Sequence, residues 1–218
     1  MNFPALPRPI SLHAATASVE EQSRLENSAI AYRLKRKEAG LLDELIVRYQ
    51  HRLLRYLMYL TGNREMAEDI FQEVWMRVLV RGEQYNGRAR FETWLFTIAR
   101  NLVIDLRRKR TMSSLDELVE GSTEDDRAMT FEVAADDPTP FDHFSRLEDR
   151  EKIASALLGL DTIHREVLVL RFHEELSLEE IANVTRAHLS TVKSRLYRGM
   201  AMLKPRLELA RVRQGEAV

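Results

Sequence analysis

Cysteine is absent from this 218-residue chain. Disulfide bridges, zinc–thiolate sites and cysteine nucleophiles are excluded with it. No apolar run approaches the roughly 18 residues that a helical membrane span requires, so no stable membrane insertion is expected. The opening residues, MNFPALPRPISLHAATASVE, lack a basic start followed by an apolar core. A secretory signal is therefore not expected, and a cytoplasmic setting fits the missing cysteine. Also missing are the H-E-x-x-H pair, a glycine-rich phosphate loop and a nucleophile elbow. The six histidines, at 13, 51, 143, 164, 173 and 188, are scattered. No catalytic site, metal or cofactor is expected, and the chain reads as a non-enzyme.

What is present is apolar enough to fold: 44% of the residues are hydrophobic. The net charge of −1 conceals a segregation. Ser113–Asp142 holds ten acids against one base, Arg127, which leaves +8 on the remainder. Such asymmetry tells more about partners than the total does.

Between Leu41 and Arg110 the apolar residues recur at helical spacing. In LLDELIVRYQHRLLRYLMYL they are Leu42, Leu45, Ile46, Tyr49, Leu53, Tyr56 and Leu57. TGN breaks the pattern at Thr61–Asn63, with Asn63 suited to cap the next helix. That helix, REMAEDIFQEVWMRVLV, buries Met66, Ile70, Phe71, Val74 and Val78. RGEQYNGR reads as a loop, and FETWLFTIARNLVIDLRRKR as a third helix with a basic end. Residues 111–145 keep no period and contain DDPTP. Helical spacing resumes at Arg146 and runs to about Arg213. The fold class is all-α: two small helical domains joined by a flexible acidic linker, the second domain with a helix-turn-helix.

In SLEEIANVTRAHLSTVKSRLYRGMAMLK, Ser177 and Glu180 form a capping box. Leu178, Ile181 and Ala182 face inward, and a second helix begins near Leu189 or Ser190. At about 100° per residue, Val192, Leu196, Gly199, Met200 and Leu203 share the buried side. Ser190, Thr191, Ser194, Tyr197, Arg198 and Ala201 lie opposite, flanked by Lys193 and Arg195. No Asp or Glu occurs from Leu189 to Leu207. Small hydroxyl residues let the backbone approach a base edge while flanking cations reach phosphates, as a major-groove helix requires. A solvated amphipathic helix is the other reading of this face.

DELIVRYQHRLLRYL, NREMAEDIFQEVWMRV, FETWLFTIARNLVIDLRRKR and LSLEEIANV…STVKSRLYRG occur in that order. Together they resemble the extracytoplasmic-function (ECF) subfamily of bacterial RNA polymerase sigma factors. The resemblance covers residues about 28–110 and 146–207. It implies region two over 28–110, a linker in the acidic stretch 111–145 and region four over 146–213; residues 1–27 read, from their prolines, as a tail of low order, longer than a minimal family member carries. It further implies core RNA polymerase as a partner, through its β′ clamp helices and β flap, together with promoter DNA and an anti-sigma factor. On this resemblance Asp69, Gln72, Glu73, Trp75 and Met76 hold the clamp helices. Without the resemblance Trp75 reads as a core residue beside a solvated acidic face. The −10 strand falls to Tyr85, Asn86, Arg88, Arg90, Phe91, Trp94, Asn101, Arg107 and Arg108, with Phe91 and Trp94 also suited to a core. The −35 duplex falls to Ser190, Thr191, Lys193, Ser194, Arg195, Tyr197 and Arg198. In the family the linker threads toward the active-site cleft; composition alone permits a soluble spacer as well.

One departure stands out. Family members commonly carry glycine at the helix-turn-helix corner, whereas this chain has TRAHLS with Arg186. The turn is then either strained by ~1 kcal/mol or differently shaped. His188 beside it is a turn residue or a phosphate contact. Two other functions fit parts of the pattern: a helix-turn-helix regulator binding an operator without polymerase, and a polymerase-binding adaptor indifferent to DNA sequence.

Lys193→Ala is expected to weaken DNA binding by a similar factor on every sequence, as for a phosphate contact. Changing Ser194 or Arg198 is expected to alter which sequence is preferred. Binding measured across a randomised −35 library separates the two behaviours, and unchanged selectivity in both would mean a rotated helix.

Overall fold

A computed structural model describes residues 12–116 and 151–215, and every regular element among them is helical. The front module comprises α1 (Leu12–Lys35), α2 (Leu41–Thr61), α3 (Arg64–Arg81), a 3-10 turn at Gly82–Gln84 and α4 (Phe91–Asp116). The rear module comprises α5 (described over 151–158), α6 (Thr162–Phe172), α7 (Leu178–Thr185) and α8 (Leu189–Gly215). Most of the expected linker, from residue 117, lies outside the described residues; 111–116 continue α4.

The helix boundaries follow local chemistry. α2 stops where Gly62 adopts a left-handed φ of 67° and its N–H bonds the Met58 carbonyl. Asn63 then caps α3, its side chain accepting from the Met66 N–H at 2.8 Å. Ser177 and Glu180 form the reciprocal capping box of α7. Each side chain bonds the other residue's N–H, at 3.1 and 2.8 Å.

The tail expectation needs correction, because helix α1 begins at Leu12 rather than after residue 27. Its Asn27 is buried, and its Oδ1 accepts the Phe91 N–H at 3.0 Å. A residue of α1 thus caps α4 from a distance, satisfying a donor that no intrahelical carbonyl reaches. Gly87, with φ 73°, passes so close that a Cβ there would meet the Asn27 carbonyl at 3.0 Å.

The front core gathers Leu53, Tyr56 and Leu57 of α2, Val74 and Val78 of α3, and Phe91, Leu95 and Phe96 of α4. Tyr56 and Phe96 meet edge-on with centroids 5.0 Å apart. Burying each such side chain stabilises the fold by about 1.5–3 kcal/mol. The rear core is built from Val167, Leu168 and Leu170 of α6, Ile181 and Val184 of α7, and Val192 and Leu196 of α8.

The two modules are docked, which the linear pattern did not suggest. α6 packs on α2 and α7 packs on α4, and the buried residues of both modules form one continuous cluster. Arg165 of α6 donates to the Tyr59 carbonyl of α2 at 2.8 Å while also closing its own module through the Leu158 and Leu160 carbonyls.

At the helix-turn-helix corner Arg186 takes the left-handed conformation, φ 51° and ψ 39°. The turn therefore has the shape glycine would provide, held by a residue whose Cβ makes it costly. Arg186→Gly relieves that strain and adds backbone entropy to the unfolded chain, so a net stabilisation of up to about 1 kcal/mol is expected. A rise in the urea midpoint measures it; a lowered midpoint would show the turn to be unstrained.

Candidate functional site

The outward face of α8 carries the residues that the helical phasing assigned to it. Ser190, Lys193, Ser194, Tyr197 and Arg198 are exposed, whereas Thr191 and Arg195 are half-buried. The opposite face is closed by Val192 and Leu196. A Cβ on Gly199 would lie 3.2 Å from Leu168 Cδ1, so the helix is pressed directly onto α6. Docking of the modules leaves this face uncovered, because α8 packs on α6 and α7.

A second exposed surface runs along α3. Asp69, Gln72, Glu73 and Met76 all reach solvent. Trp75 does not: it is 5% exposed, with its ring edge-on to Phe71. The expectation of Trp75 as an interface anchor is corrected to a core residue, because Val74, Trp75 and Val78 share the side that packs inward. The apolar part of the stripe is instead continued by Leu79 and Val80, exposed at 56% and 64%. Sequence reasoning passed over them, although they follow Met76 at three- and four-residue spacing and the core already had Val78.

The loop between α3 and α4 distributes its residues differently from expectation. Tyr85 and Phe91 are core residues, not open platforms for bases. The Tyr85 hydroxyl donates to the Ala89 carbonyl at 2.7 Å and lies 3.1 Å from Asn27 Oδ1. Burial holds its pKa above the ordinary phenol value, so the donor stays protonated. Trp94 is half-buried against both rings, at 5.2 and 5.7 Å. Asn86 and Arg88 are exposed, and Arg90 is half-buried beside Glu92 at 3.3 Å.

Arg88 and Arg90 border a cleft of about 730 Å³. Arg24 of α1 and Asn183 of α7 also line it, a contribution that no local pattern signalled. Asn101, Arg107 and Arg108 lie farther along α4, about 15–25 Å from its start at 1.5 Å per residue. Arg107 is committed to the Leu60 carbonyl, and Arg108 lines an α3–α4 groove with Asp69 and Glu73. The structure therefore divides the expected −10 set into a packed aromatic triad, the loop with its amide and guanidinium groups, and a distant helix end.

Among the described residues no group of side chains is arranged to hold a metal ion, and no helix is long and apolar enough to cross a membrane.

Two family models match the chain: sigma-70 region 2 over residues 45–112 and sigma-70 region 4 over residues 150–203. It is 33% identical to the ECF RNA polymerase sigma factor SigW of Bacillus subtilis, over 82% of this chain and 96% of that one. With the ECF sigma factor SigL of Mycobacterium tuberculosis it shares 36% identity over 78% of this chain and 91% of the other. The chain belongs to the sigma-70 family, in its ECF subfamily, and is an RNA polymerase sigma factor. Members of this family are transcription initiation factors without an enzymatic activity of their own.

The same fold occurs in RpoE of Bartonella quintana, solved with the anti-sigma factor NepR (TM-score 0.60, 22% identity, 76% of this chain and 96% of that chain). CnrH, solved with the cytosolic domain of CnrY, matches with TM-score 0.57 at 21% identity, over 84% of this chain and 97% of the other.

Trp75→Ala is expected to cost about 3–5 kcal/mol of stability through the cavity it leaves. Met76→Ala, on the exposed side of the same helix, should stay within about 0.5 kcal/mol of the parent. Thermal unfolding of the two variants decides the assignment; equal midpoints would return Trp75 to the surface.

Proposed function

We propose that the exposed face of α8 reads the −35 duplex, with Ser190, Thr191, Ser194, Tyr197 and Arg198 toward the bases and Lys193 and Arg195 toward phosphates. The observation that carries this reading is the acid-free, outward helix face standing behind a capped α7 at helix-turn-helix spacing. The −10 strand is held at the α3–α4 loop by Asn86, Arg88 and Arg90. Tyr85, Phe91 and Trp94 act there as the packed support of the loop and not as open platforms.

Core polymerase is engaged at two places. The stripe Asp69, Gln72, Glu73 and Met76 meets the β′ clamp helices, with Leu79 and Val80 supplying apolar contact. The β flap meets the rear module at the groove lined by Phe172, Met200, Leu203 and Leu207, an apolar surface with Phe172 60% exposed. The protein acts in the cytoplasm and performs no chemistry itself; it confers promoter choice on the polymerase. An anti-sigma factor is its regulator, a reading supported by the complexes in which RpoE and CnrH were solved.

Run-off transcription with core polymerase tests the whole assignment. Promoter-dependent initiation is expected only when the chain is added. A regulator that binds an operator unaided, or an adaptor indifferent to sequence, would give none.

A further inference from the structure

Part of the surface between the modules sets arginines of the front one against carboxylates of the rear one. Glu174 of the rear module is 0% exposed. It accepts from Arg52 Nε at 2.8 Å and Arg55 Nη2 at 3.0 Å. Arg52 Nη2 also reaches the Glu174 carbonyl at 3.1 Å. Glu166 of α6 accepts from Arg100 Nε at 2.8 Å and from the Tyr56 hydroxyl at 2.9 Å. Glu180 of α7 stands 3.7 Å from Arg90 Nε and 3.3 Å from the Thr93 hydroxyl.

Every guanidinium in these contacts belongs to the front module, and every carboxylate to the rear one. Among the described residues, the front module's own carboxylate on this face is Glu92, 3.7 Å from Arg52 and 3.3 Å from Arg90. Undocked, the face would present four arginines and two hydroxyls against one acid.

Ion pairs are a poor means of holding an interface permanently, because desolvation of both partners offsets most of their attraction. They suit a surface that must also live in water and bind something else of the same charge. A carboxylate offers a guanidinium the same paired oxygens that a phosphate does. The face is also continuous with the α3–α4 loop through Arg90, so a strand held at Asn86 and Arg88 would run onto it.

We infer that Arg52, Arg55, Arg90 and Arg100 form a binding site for the phosphate backbone of single-stranded promoter DNA. Glu166, Glu174 and Glu180 of the rear module occupy that site as phosphate surrogates in the docked form. DNA and the rear module then compete for one surface, while the outward face of α8 stays open in both states. The inference rests on the chain's reading as a promoter-binding factor.

The missing cysteine makes the test direct, since Val47→Cys and Lys204→Cys, both at exposed positions, provide unique sites for a fluorescence-transfer pair. The full-length labelled chain is titrated with a mixed-sequence single-stranded DNA 20-mer, without polymerase. In the parent, saturation with DNA should lower transfer as the modules part; saturation at unchanged transfer would overturn the competition. Glu166→Gln with Glu174→Gln should lower transfer before DNA is added and tighten 20-mer binding about tenfold. Its salt dependence should steepen by about 0.7 for each further phosphate neutralised, or roughly 2–3 in the slope of log K against log salt.

Adding Arg52→Gln and Arg55→Gln to that variant should abolish most of the tightening. Opened modules without tighter binding, or tightening that survives loss of both arginines, would refute the assignment of this face. Circular dichroism of each variant guards against unfolding, and the parent titration stands independently of any substitution. Competition observed with no promoter-dependent run-off would remove the promoter-reading assignment proposed above and leave the masked face in place. Run-off without competition would do the reverse.

Discussion

Two glutamates almost out of contact with water, Glu166 and Glu174, set the arrangement of the molecule. Removing a carboxylate from water is expensive unless a cation and further donors replace the lost solvation. Here the replacements lie on the other module: Arg52 and Arg55 for Glu174, Arg100 and Tyr56 for Glu166. Burial, reinforced by Glu166, raises the Tyr56 pKa far above that of an ordinary phenol, so its hydroxyl remains a donor to the carboxylate. His173, next in the chain to Glu174, is correspondingly held neutral by burial and by the nearby Arg55. Glu166 and Glu174 find no such partners within their own module, so these pairs fix how the two modules sit on the apolar cluster that joins them.

The orientation imposed by these pairs sorts the surfaces into open and closed ones. The outward face of α8 and the acidic stripe of α3 point to solvent in the docked form. The arginine face of α2 and α4 is partly covered by the rear module, its guanidiniums paired with Glu166, Glu174 and Glu180. In the proposed mechanism this asymmetry orders the encounter: duplex and polymerase are met by surfaces already available, whereas the single strand must displace the rear module. The cleft shared by α1, the α3–α4 loop and α7 would change shape in the same movement, since α7 leaves with the rear module.

Buried aromatics make a different contribution. Tyr85, Phe91 and Trp94 form a packed triad beneath the α3–α4 loop, and Asn27 ties that triad to α1 through Phe91 N–H and Tyr85 hydroxyl. A loop that carries exposed amide and guanidinium groups over such a foundation keeps its polar groups in a defined place. The long first helix, of which two thirds was expected to have little order, is therefore part of the site's support.

Much of this was legible in the order of the residues. Helices α2, α3, α4, α7 and α8, the Asn63 cap, the Ser177–Glu180 box and the outward phase of Ser194 and Arg198 all follow from contacts within a few residues of each other. Such interactions depend on local spacing, which a sequence states directly. The aromatics Trp75, Tyr85 and Phe91 were harder, because an exposed anchor and a core residue have the same composition; which one they are depends on what packs over them. Asn27 reaches Phe91 across 64 positions, and Arg55 reaches Glu174 across 119. By itself, then, the sequence determined the helices, their faces and the family. Only the tertiary structure decided which charges are paired across the modules, because the energy of a charge depends on the solvent and partners around it, and those come from residues far away in the chain.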